Sequence, residues 1–287
     1  MTSRHGPPHS RRPGPPRARK RFGQHFLADA EALAHIADLV RPAPGDLVLE
    51  VGPGRGALTG PLLDRLEHLV AIEIDRDLIA YLRERFSPPT LQLIEGDILD
   101  LDIQRLLSEA ARQTLFVVGN LPYNITAPVL FRLRDHAHLV SRAVLTLQKE
   151  VAQRLVASAG TRQYSQLTVL LTQCARMQIR RQIPSTSFRP QPKVDSAVVD
   201  VHFEPCRVDV GELRRFEQIV RSAFGQRRKM LRNALLALPS PDGDGSIDRE
   251  TLSRLAAEAG IDLTRRAEEL TVQEFARLSH EFIALCS

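Results

Sequence analysis

The chain has 287 residues, and 43% of them are hydrophobic, enough for one large and one small globular domain. No apolar run approaches the ~20 residues of a membrane-spanning helix, and no apolar segment follows the basic N-terminus as in a secretory signal. Cys174, Cys206 and Cys286 show neither metal-ligand spacing nor a disulfide pattern. We therefore expect a cytoplasmic protein with free thiols and no bound metal.

The positive charge of the chain is concentrated in its first 21 residues. They hold seven of the 39 basic residues and no acidic one, which leaves 32 basic against 34 acidic residues in the rest. Their proline, glycine and arginine content predicts a disordered basic tail over residues 1–21, which either contacts a phosphate backbone or stays solvated. A mitochondrial transit peptide is a further interpretation, although the prolines of residues 7–16 disfavour the amphipathic helix that it needs.

After this tail, the pattern predicts an amphipathic helix over residues 29–40 and then alternating strands and helices. Short apolar runs recur about every 20–25 residues, which is typical of an open parallel sheet with helices on both faces. The runs are residues 47–51, 69–74, 91–94, 115–118 and 143–147. The sequence therefore predicts an α/β fold.

The last third of the chain changes from mixed to helical character. Residues 164–174 are apolar and expected to be buried, and residues 194–203 alternate imperfectly, which predicts a strand. We place a domain boundary near residue 205, between a sheet domain over 22–205 and a smaller helical domain over 206–287. The helices expected in the second domain are residues 212–223, 228–238, 249–259 and 271–286.

The first predicted strand runs into a glycine-rich turn, Gly52-Pro53-Gly54-Arg55-Gly56, which lets a ligand approach the backbone closely. Glu73 ends the second strand, where a carboxylate accepts both ribose hydroxyls of an adenosine. Asp97 follows the third strand, where it is placed to accept the amino group of the adenine. NAD and S-adenosylmethionine both contain adenosine, so these residues alone leave the choice of cofactor open.

The fourth predicted strand ends in Asn120-Leu121-Pro122-Tyr123, which suits the methylation of an amino nitrogen conjugated to a ring. Such a nitrogen is a poor nucleophile because its lone pair is delocalised. We expect the Asn120 amide oxygen and the Leu121 carbonyl oxygen to accept its two hydrogens. Tyr123 offers a face on which the extruded base stacks. This interpretation favours S-adenosylmethionine, and no acid/base partner supports a dehydrogenase.

Five segments together make the sequence resemble the ribosomal RNA adenine N6-dimethyltransferase family, in particular its bacterial small-subunit branch. They are residues 20–27, 50–59, 120–125, 188–196 and 224–231. The resemblance implies a Rossmann-like S-adenosylmethionine methyltransferase domain over 22–205 and a smaller all-helical, RNA-binding domain over 206–287. It also implies cofactor contacts at His25, Leu27, Gly52, Glu73, Asp97 and Asn120. Many relatives carry Asn in place of His25, which matters only if that contact is made by the side chain.

The resemblance further implies an RNA substrate. Two adjacent adenines near the 3′ end of 16S rRNA, in the 30S subunit or its precursor, would receive four methyl groups late in assembly from a monomeric enzyme. Phe188 resembles a second stacking aromatic residue opposite Tyr123. The RNA-facing surface is expected to include Arg227, Arg228 and Lys229, with further basic residues at Arg221, Arg232, Arg180, Arg181 and Lys193.

Two alternative functions remain at this point. One is a 23S rRNA adenine N6-methyltransferase of the macrolide-resistance type. The other is a non-catalytic ribosome assembly factor that keeps the fold. The intact segment from Asn120 to Tyr123 argues against lost chemistry, and residues 23–27 and 224–229 favour the small-subunit enzyme.

Overall fold

A computed structural model describes residues 14–86, 89–240 and 245–286, which form strands and helices in alternation followed by helices. The strands are β1 (Phe26–Leu27), β2 (Asp46–Val51), β3 (Leu69–Glu73), β4 (Leu91–Glu95), β5 (Thr114–Asn120), β6 (Val140–Gln148), β7 (Ala175–Ile183), β8 (Phe188–Arg189) and β9 (Ser196–Phe203). The helices are α1 (Ala30–Leu39), α2 (Thr59–Leu63), α3 (Arg76–Arg85), α4 (Ile103–Glu109), α5 (Thr126–Asp135), α6 (Lys149–Leu155), α7 (Gln166–Thr172), α8 (Leu213–Gly225), α9 (Leu231–Ala234), α10 (Arg249–Glu258) and α11 (Val272–Cys286).

Seven strands form one sheet in the order β4-β3-β2-β5-β6-β9-β7, and β1 pairs with β8 in a small second sheet. Strands β4, β3, β2, β5 and β6 are parallel, which confirms the expected α/β fold. Because the chain leaves β2 toward β3 on one side and later returns to β5 on the other, the carboxyl ends of β2 and β5 flank a crevice where open α/β sheets bind ligands.

The other edge of the sheet differs from the sequence prediction. Strand β9 is antiparallel to both β6 and β7, so the sheet is mixed rather than wholly parallel. The pattern predicts β9 but misses β7. The reason is that β7 is an edge strand whose outward side chains, including Arg176, Gln178 and Arg180, are exposed and polar, so it contains no apolar run.

Helices cover both faces of the sheet, as the apolar runs indicate. Helices α4 and α5 pack on one face, and α1 and α2 pack on the other. Helix α1 begins after Asp29, whose side chain accepts a hydrogen bond from the Ala32 amide at 3.0 Å, and it ends at Leu39, just before Val40 and the Arg41-Pro42 step. The predicted helix over 29–40 is therefore confirmed to within one residue at each end.

The C-terminal helices form a second core that also takes in α7. Val169 and Leu170 pack with α8, α10 and α11, whereas the next residue, Leu171, belongs to the core of the sheet. An ion pair between Arg134 of α5 and Glu217 of α8 joins the same two parts of the molecule. Helix α7 thus lies between the cores, upstream of the boundary proposed at residue 205.

The single helix expected over residues 228–238 is wrong. Helix α9 begins only at Leu231 and is followed by a 3-10 turn over Leu235–Ala237. The amide groups of Leu231 and Arg232 donate to the carbonyl oxygens of Arg265 and Leu263, at 2.8 and 3.0 Å. The residues before α9 form a turn in which the Lys229 amide donates to the Gln226 carbonyl oxygen at 2.8 Å, so they are not part of the helix.

Part of the N-terminal segment expected to be disordered is tied to the sheet domain. Arg19 forms ion pairs with Asp75 and Asp77, and the carbonyl oxygen of Pro16 accepts two hydrogen bonds from Arg55. The expectation of disorder is therefore wrong for residues 14–21, while residues 1–13 lie outside the described part of the chain. Within the described ranges, none of the helices combines the length and the apolar character needed to cross a bilayer.

Candidate active site

A cavity of about 230 Å³ lies at the crevice between β2 and β5. It is lined by residues 22–26 and by the carboxyl ends of β2, β3, β4 and β5 with the residues that follow them. Most of the site residues predicted from the sequence meet here. They are His25, Gly52, Glu73, Asp97, Asn120, Leu121 and Tyr123.

The glycine-rich turn brings backbone to the cavity wall. Gly52 has a φ of +67°, and its amide donates to the Ile72 carbonyl oxygen at 2.9 Å. A Cβ atom added at Gly52 would meet no atom within 4 Å, so the space in front of this residue is open to a ligand. Both the left-handed conformation and the open space explain why glycine is suited to this position.

Glu73 is buried at the end of β3 and is held by backbone amides. One carboxylate oxygen accepts from the amides of Ile74 and Asp75, both at 3.0 Å, and the other accepts from Gly54 at 3.1 Å. Burial raises the pKa of Glu73, and the three amide hydrogen bonds act in the opposite direction. These bonds fix the carboxylate at the cavity wall with acceptor capacity left for hydroxyl donors.

Two residues that follow β3 and β4, Ile74 and Asp97, complete the cavity wall beside Glu73. Asp97 follows β4, and its carboxylate accepts from the Leu99 amide at 2.9 Å, which orients it in the turn. Ile74 is 47% exposed although it is large and apolar, and it lines the cavity. The cavity is thus lined by both the Asp97 carboxylate and the apolar side chain of Ile74, a combination that suits a ligand with a flat ring and an amino group.

Asn120 ends β5 and is oriented by the N-terminal segment. Its amide nitrogen donates to the His25 carbonyl oxygen at 2.8 Å. A carbonyl oxygen only accepts hydrogen bonds, so this contact requires the NH₂ group of Asn120 to face His25. The amide oxygen of Asn120 is left as a free acceptor, since no described residue donates to it.

The residues after Asn120 form a tight turn. The Leu121 amide donates to the Thr146 carbonyl oxygen at 3.2 Å, and the Leu121 side chain is buried. Among the described residues, none donates to the carbonyl oxygen of Leu121. The turn therefore presents two acceptors in sequence, the side-chain oxygen of Asn120 and the main-chain oxygen of Leu121.

Tyr123 is half-buried beside these acceptors. Its hydroxyl group shares a hydrogen bond with Ser196 at 3.0 Å, and its ring stacks on His25 with centroids 5.7 Å apart and an angle of 24° between the planes. Burial raises the pKa of Tyr123, so its hydroxyl group is neutral at physiological pH. Nδ1 of His25 contacts the Pro190 carbonyl oxygen at 2.7 Å, which ties the ring to the loop after β8.

Several predicted site residues lie elsewhere. The Leu27 side chain is buried and lines a small adjoining hollow rather than the main cavity. Phe188 is fully buried in the core formed by α1, α2 and the sheet. The stacking role expected for Phe188 does not fit this position, because no face of its ring is open to a base.

The basic residues after α8 do not line the cavity, and they differ in their contacts. Arg227 donates to the carbonyl oxygens of Arg162 and Tyr164 and to the carboxylate of Glu268, at 3.0–3.1 Å. Arg228 and Lys229 are exposed, and their side chains have no partner among the described residues. Of the other predicted basic residues, Arg180 and Arg181 face Asp200 and Glu31, at 3.7 and 2.8 Å.

Sequence reasoning missed several residues of the cavity. Phe22, Gln24 and Phe26 line it from the N-terminal segment, and Arg55 lies over the Phe26 ring at 4.5 Å. A signal was available, since these residues belong to segment 20–27, which carries the family resemblance. For Ile74, the signal in the sequence was its position directly after Glu73, which was itself predicted to lie in the site.

The cavity fits the adenosyl cofactor expected from the sequence. Gly52 leaves open space at the backbone, and Glu73 and Asp97 each present a carboxylate held by backbone amides, which is the kind of acceptor that ribose hydroxyl and adenine amino groups require. Asn120 and Leu121 then present acceptors for a second, incoming amino group. The arrangement suits methyl transfer to a nitrogen that carries two hydrogens.

Comparison with known proteins agrees with this geometry. Residues 16–283 match the model of the family described as ribosomal RNA adenine dimethylase. The chain is 44% identical over 271 residues to the ribosomal RNA small subunit methyltransferase A of Geobacter metallireducens, covering 94% of this chain and 97% of that protein.

Solved structures of similar proteins share the fold. The crystal structure of a dimethyladenosine transferase from Plasmodium falciparum superposes on this chain with a TM-score of 0.77 at 24% sequence identity. The match covers 91% of this chain and 98% of that protein's chain. The 23S rRNA methyltransferase ErmE superposes with a TM-score of 0.67 at 25% identity, covering 90% of this chain and 99% of its own. On the match over residues 16–283, the chain belongs to the ribosomal RNA adenine dimethylase family.

Proposed function

We propose that this protein dimethylates N6 of two adjacent adenines near the 3′ end of 16S rRNA, with S-adenosylmethionine as the methyl donor. The observation that carries the proposal is the Asn120 amide, held by His25 with its oxygen free beside the Leu121 carbonyl. The 44% identity to a small-subunit methyltransferase, against 25% to a 23S rRNA enzyme, favours 16S rRNA. We place the reaction in the cytoplasm, late in small-subunit assembly, and expect a monomer.

Each residue of the cavity has a role in this proposal. The Gly52 backbone, Glu73 and Asp97 bind the cofactor, which supplies a methyl group activated by its bond to a sulfonium. Asn120 and Leu121 accept the two N6 hydrogens, so that the nitrogen lone pair is directed at the methyl group. No side chain has to remove a proton before either of the two transfers, because the nitrogen releases one proton to water after each.

The target base and its RNA are held by residues around this centre. Tyr123 is fixed by its hydrogen bond to Ser196 and offers its ring to the adenine. Arg228 and Lys229 are exposed and unpaired among the described residues, which suits contacts with RNA phosphates. Arg227 acts on RNA only through the position that it gives to these two neighbours.

The test uses small ribosomal subunits that lack these methyl groups. They are incubated with the protein and labelled S-adenosylmethionine, with large subunits as substrate control and the Asn120→Ala variant as enzyme control. Nuclease digestion and mass spectrometry should show dimethyladenosine at adjacent positions near the 16S 3′ end. Label in 23S rRNA alone would instead identify the protein as a 23S rRNA methyltransferase of the macrolide-resistance type. Absence of label in both rRNAs, with intact cofactor binding, would indicate a non-catalytic assembly factor.

A further inference from the structure

Residues 16–25, here called the N-terminal strap, are attached at both ends by hydrogen bonds to residues beside the cavity. At one end, Nε and Nη2 of Arg55 donate to the Pro16 carbonyl oxygen at 3.0 and 2.7 Å. At the other end, the His25 carbonyl accepts from Asn120. Residues 22–25 between these contacts line the cavity. The strap therefore forms one wall of the cavity and would contact a ligand bound there.

The strap has a third anchor, which is an ionic one. Nη1 of Arg19 lies 3.0 Å from Oδ1 of Asp75, and Nη2 pairs with Asp77. The side chain of Asp75 is 1% exposed and that of Arg19 is 34% exposed, so the first of these pairs is shielded from water on one side. Shielded, hydrogen-bonded pairs are stronger than pairs on the open surface.

Gln24 joins the Arg19 anchor to the part of the strap that lines the cavity. Its amide nitrogen donates to Oδ2 of Asp75 at 3.2 Å, and its amide oxygen accepts from the Arg19 backbone at 2.8 Å. Arg19 and Gln24 thus hold both oxygens of the Asp75 carboxylate. A strap that lost Arg19 would keep only Gln24 on this carboxylate.

Asp75 is also connected to the proposed ribose site. Its backbone amide donates to Glu73 at 3.0 Å, and Glu73 is the carboxylate expected to bind the ribose. The anchor and the ribose site therefore share one short segment after β3. A change in the anchor would therefore act on the part of the cavity that is expected to hold the adenosyl group. Asn120 makes a separate contact, with the His25 carbonyl oxygen at the C-terminal end of the strap.

We propose that Arg19 is a positioning residue that holds the N-terminal strap closed over the bound cofactor through Asp75 and Gln24. The inference rests on the proposed function, because it assumes S-adenosylmethionine in this cavity. Arg19 slows the departure of the cofactor and raises its affinity, and it takes no part in the transfer itself. A residue that served the fold alone would alter stability without altering cofactor release.

The test compares Arg19→Ala with Arg17→Ala, using the full chain without RNA. Arg17 lies two residues earlier on the same segment, is exposed and has no partner among the described residues, so it is a matched control for loss of charge. S-adenosylhomocysteine is the probe, with Kd measured by calorimetry and the dissociation rate by stopped flow. We expect Arg19→Ala to raise both by about tenfold, the effect of losing one shielded charged contact, and Arg17→Ala to leave both within about twofold.

Turnover provides a second readout. For Arg19→Ala, KM for S-adenosylmethionine should rise while kcat at saturating cofactor stays within about twofold, because Asn120 keeps its contact with His25. Asp75→Asn, which retains a residue able to cap α3, should reproduce the change, and the double variant should add little to it. An Arg19→Ala protein with unchanged Kd and dissociation rate would overturn the inference alone. If the unmutated chain bound no probe, the proposed function would fall as well.

Discussion

The side-chain amide of Asn120 has its orientation decided by a neighbour rather than by its own strand. The His25 carbonyl oxygen accepts from the amide nitrogen of Asn120, so the amide oxygen is left to accept from the amino group that we propose is methylated. Because this contact is made by the backbone of His25, it does not depend on the identity of the side chain at this position, and the contact of His25 with the cofactor stays a prediction. The side chain of His25 instead stacks on Tyr123.

Asn120→Ala removes one of the two acceptors expected to direct the lone pair of N6. We expect the rate of methyl transfer in single turnover to fall by about 100–1000-fold, as when one preorganised hydrogen-bonding group is lost from an active site. The cofactor Kd, measured by calorimetry, should change far less. A variant with near-normal turnover would show that Asn120 does not aim the nitrogen.

Glu73→Gln tests the ribose contact while keeping the size of the side chain. The carboxylate uses its two oxygens for three backbone amides, and an amide side chain keeps only one oxygen acceptor. We expect the Kd of S-adenosylhomocysteine to rise by about tenfold or more. The control is Glu95→Gln, because Glu95 occupies the paired position on β4 but is exposed and bonded to Arg76. Equal affinities for the two variants would remove the ribose role of Glu73.

At the scale of elements, the segment between α8 and α9 divides its basic residues between two tasks. Arg227 satisfies two carbonyl groups and Glu268, and so fixes the segment to the residues before α7. Arg228 and Lys229 are carried outward by that anchor. The run of basic residues thus contains one residue with a structural role, Arg227, and two exposed residues, Arg228 and Lys229, that we propose contact RNA.

Arg227→Ala and Arg228→Ala should therefore have different effects. The first should lower the melting temperature by about 2–4 °C, the shift expected for ~1 kcal/mol in a chain of this size. The second should leave the melting temperature unchanged and weaken binding to small subunits, reducing by about one the slope of log affinity against log salt. A larger loss of stability in Arg228→Ala than in Arg227→Ala would contradict this division.

Across the whole molecule, the packing of the strands places one acidic residue in the interior, beside the small hollow that adjoins the cavity. Glu50 of β2 is 1% exposed, and its carboxyl group accepts a hydrogen bond from Thr59 at 2.7 Å. Burial raises the pKa of Glu50 to about 8, with the Thr59 bond opposing the rise and the charge of Glu73 adding to it. The folded protein therefore favours the neutral form of Glu50.

This pKa gives the stability of the protein a defined dependence on pH. Below its ordinary pKa of 4.5, Glu50 is protonated in both the folded and the unfolded protein, so it does not lower the free energy of unfolding. Between 4.5 and about 8, the unfolded chain releases the proton and the folded protein keeps it, so stability falls as pH rises. Glu50→Gln mimics the neutral form and should remove this loss, which is on the order of a few kcal/mol.

Thermal melts at several pH values test the effect. The melting temperature of Glu50→Gln should exceed that of the unmutated protein by little at pH 5 and by an increasing margin up to pH 8. Glu67→Gln is the control, because Glu67 is exposed and has no partner among the described residues. A constant difference between pH 5 and pH 8 would mean that Glu50 ionises normally in the folded state.

Features that depend on the local order of residues are predictable from the amino-acid sequence. The βα rhythm predicts the parallel strands, and because parallel strands end at one edge, it brings Gly52, Glu73, Asp97 and Asn120 to one cavity. The helix limits at α1 and the glycine conformation at Gly52 follow from neighbouring residues in the same way. The chemistry assigned to these positions remains a prediction that the experiments above address.

Features that depend on residues far apart in the chain become visible only in the folded protein. Phe188 is core because α1 and the sheet close around it, and Arg227 is anchored because residues 162–164 and 268 lie beside it. The strap likewise depends on Arg19 meeting Asp75, 56 positions later. The type of a side chain limits what it is able to bond, but which partner it meets is set by the packing of the whole fold.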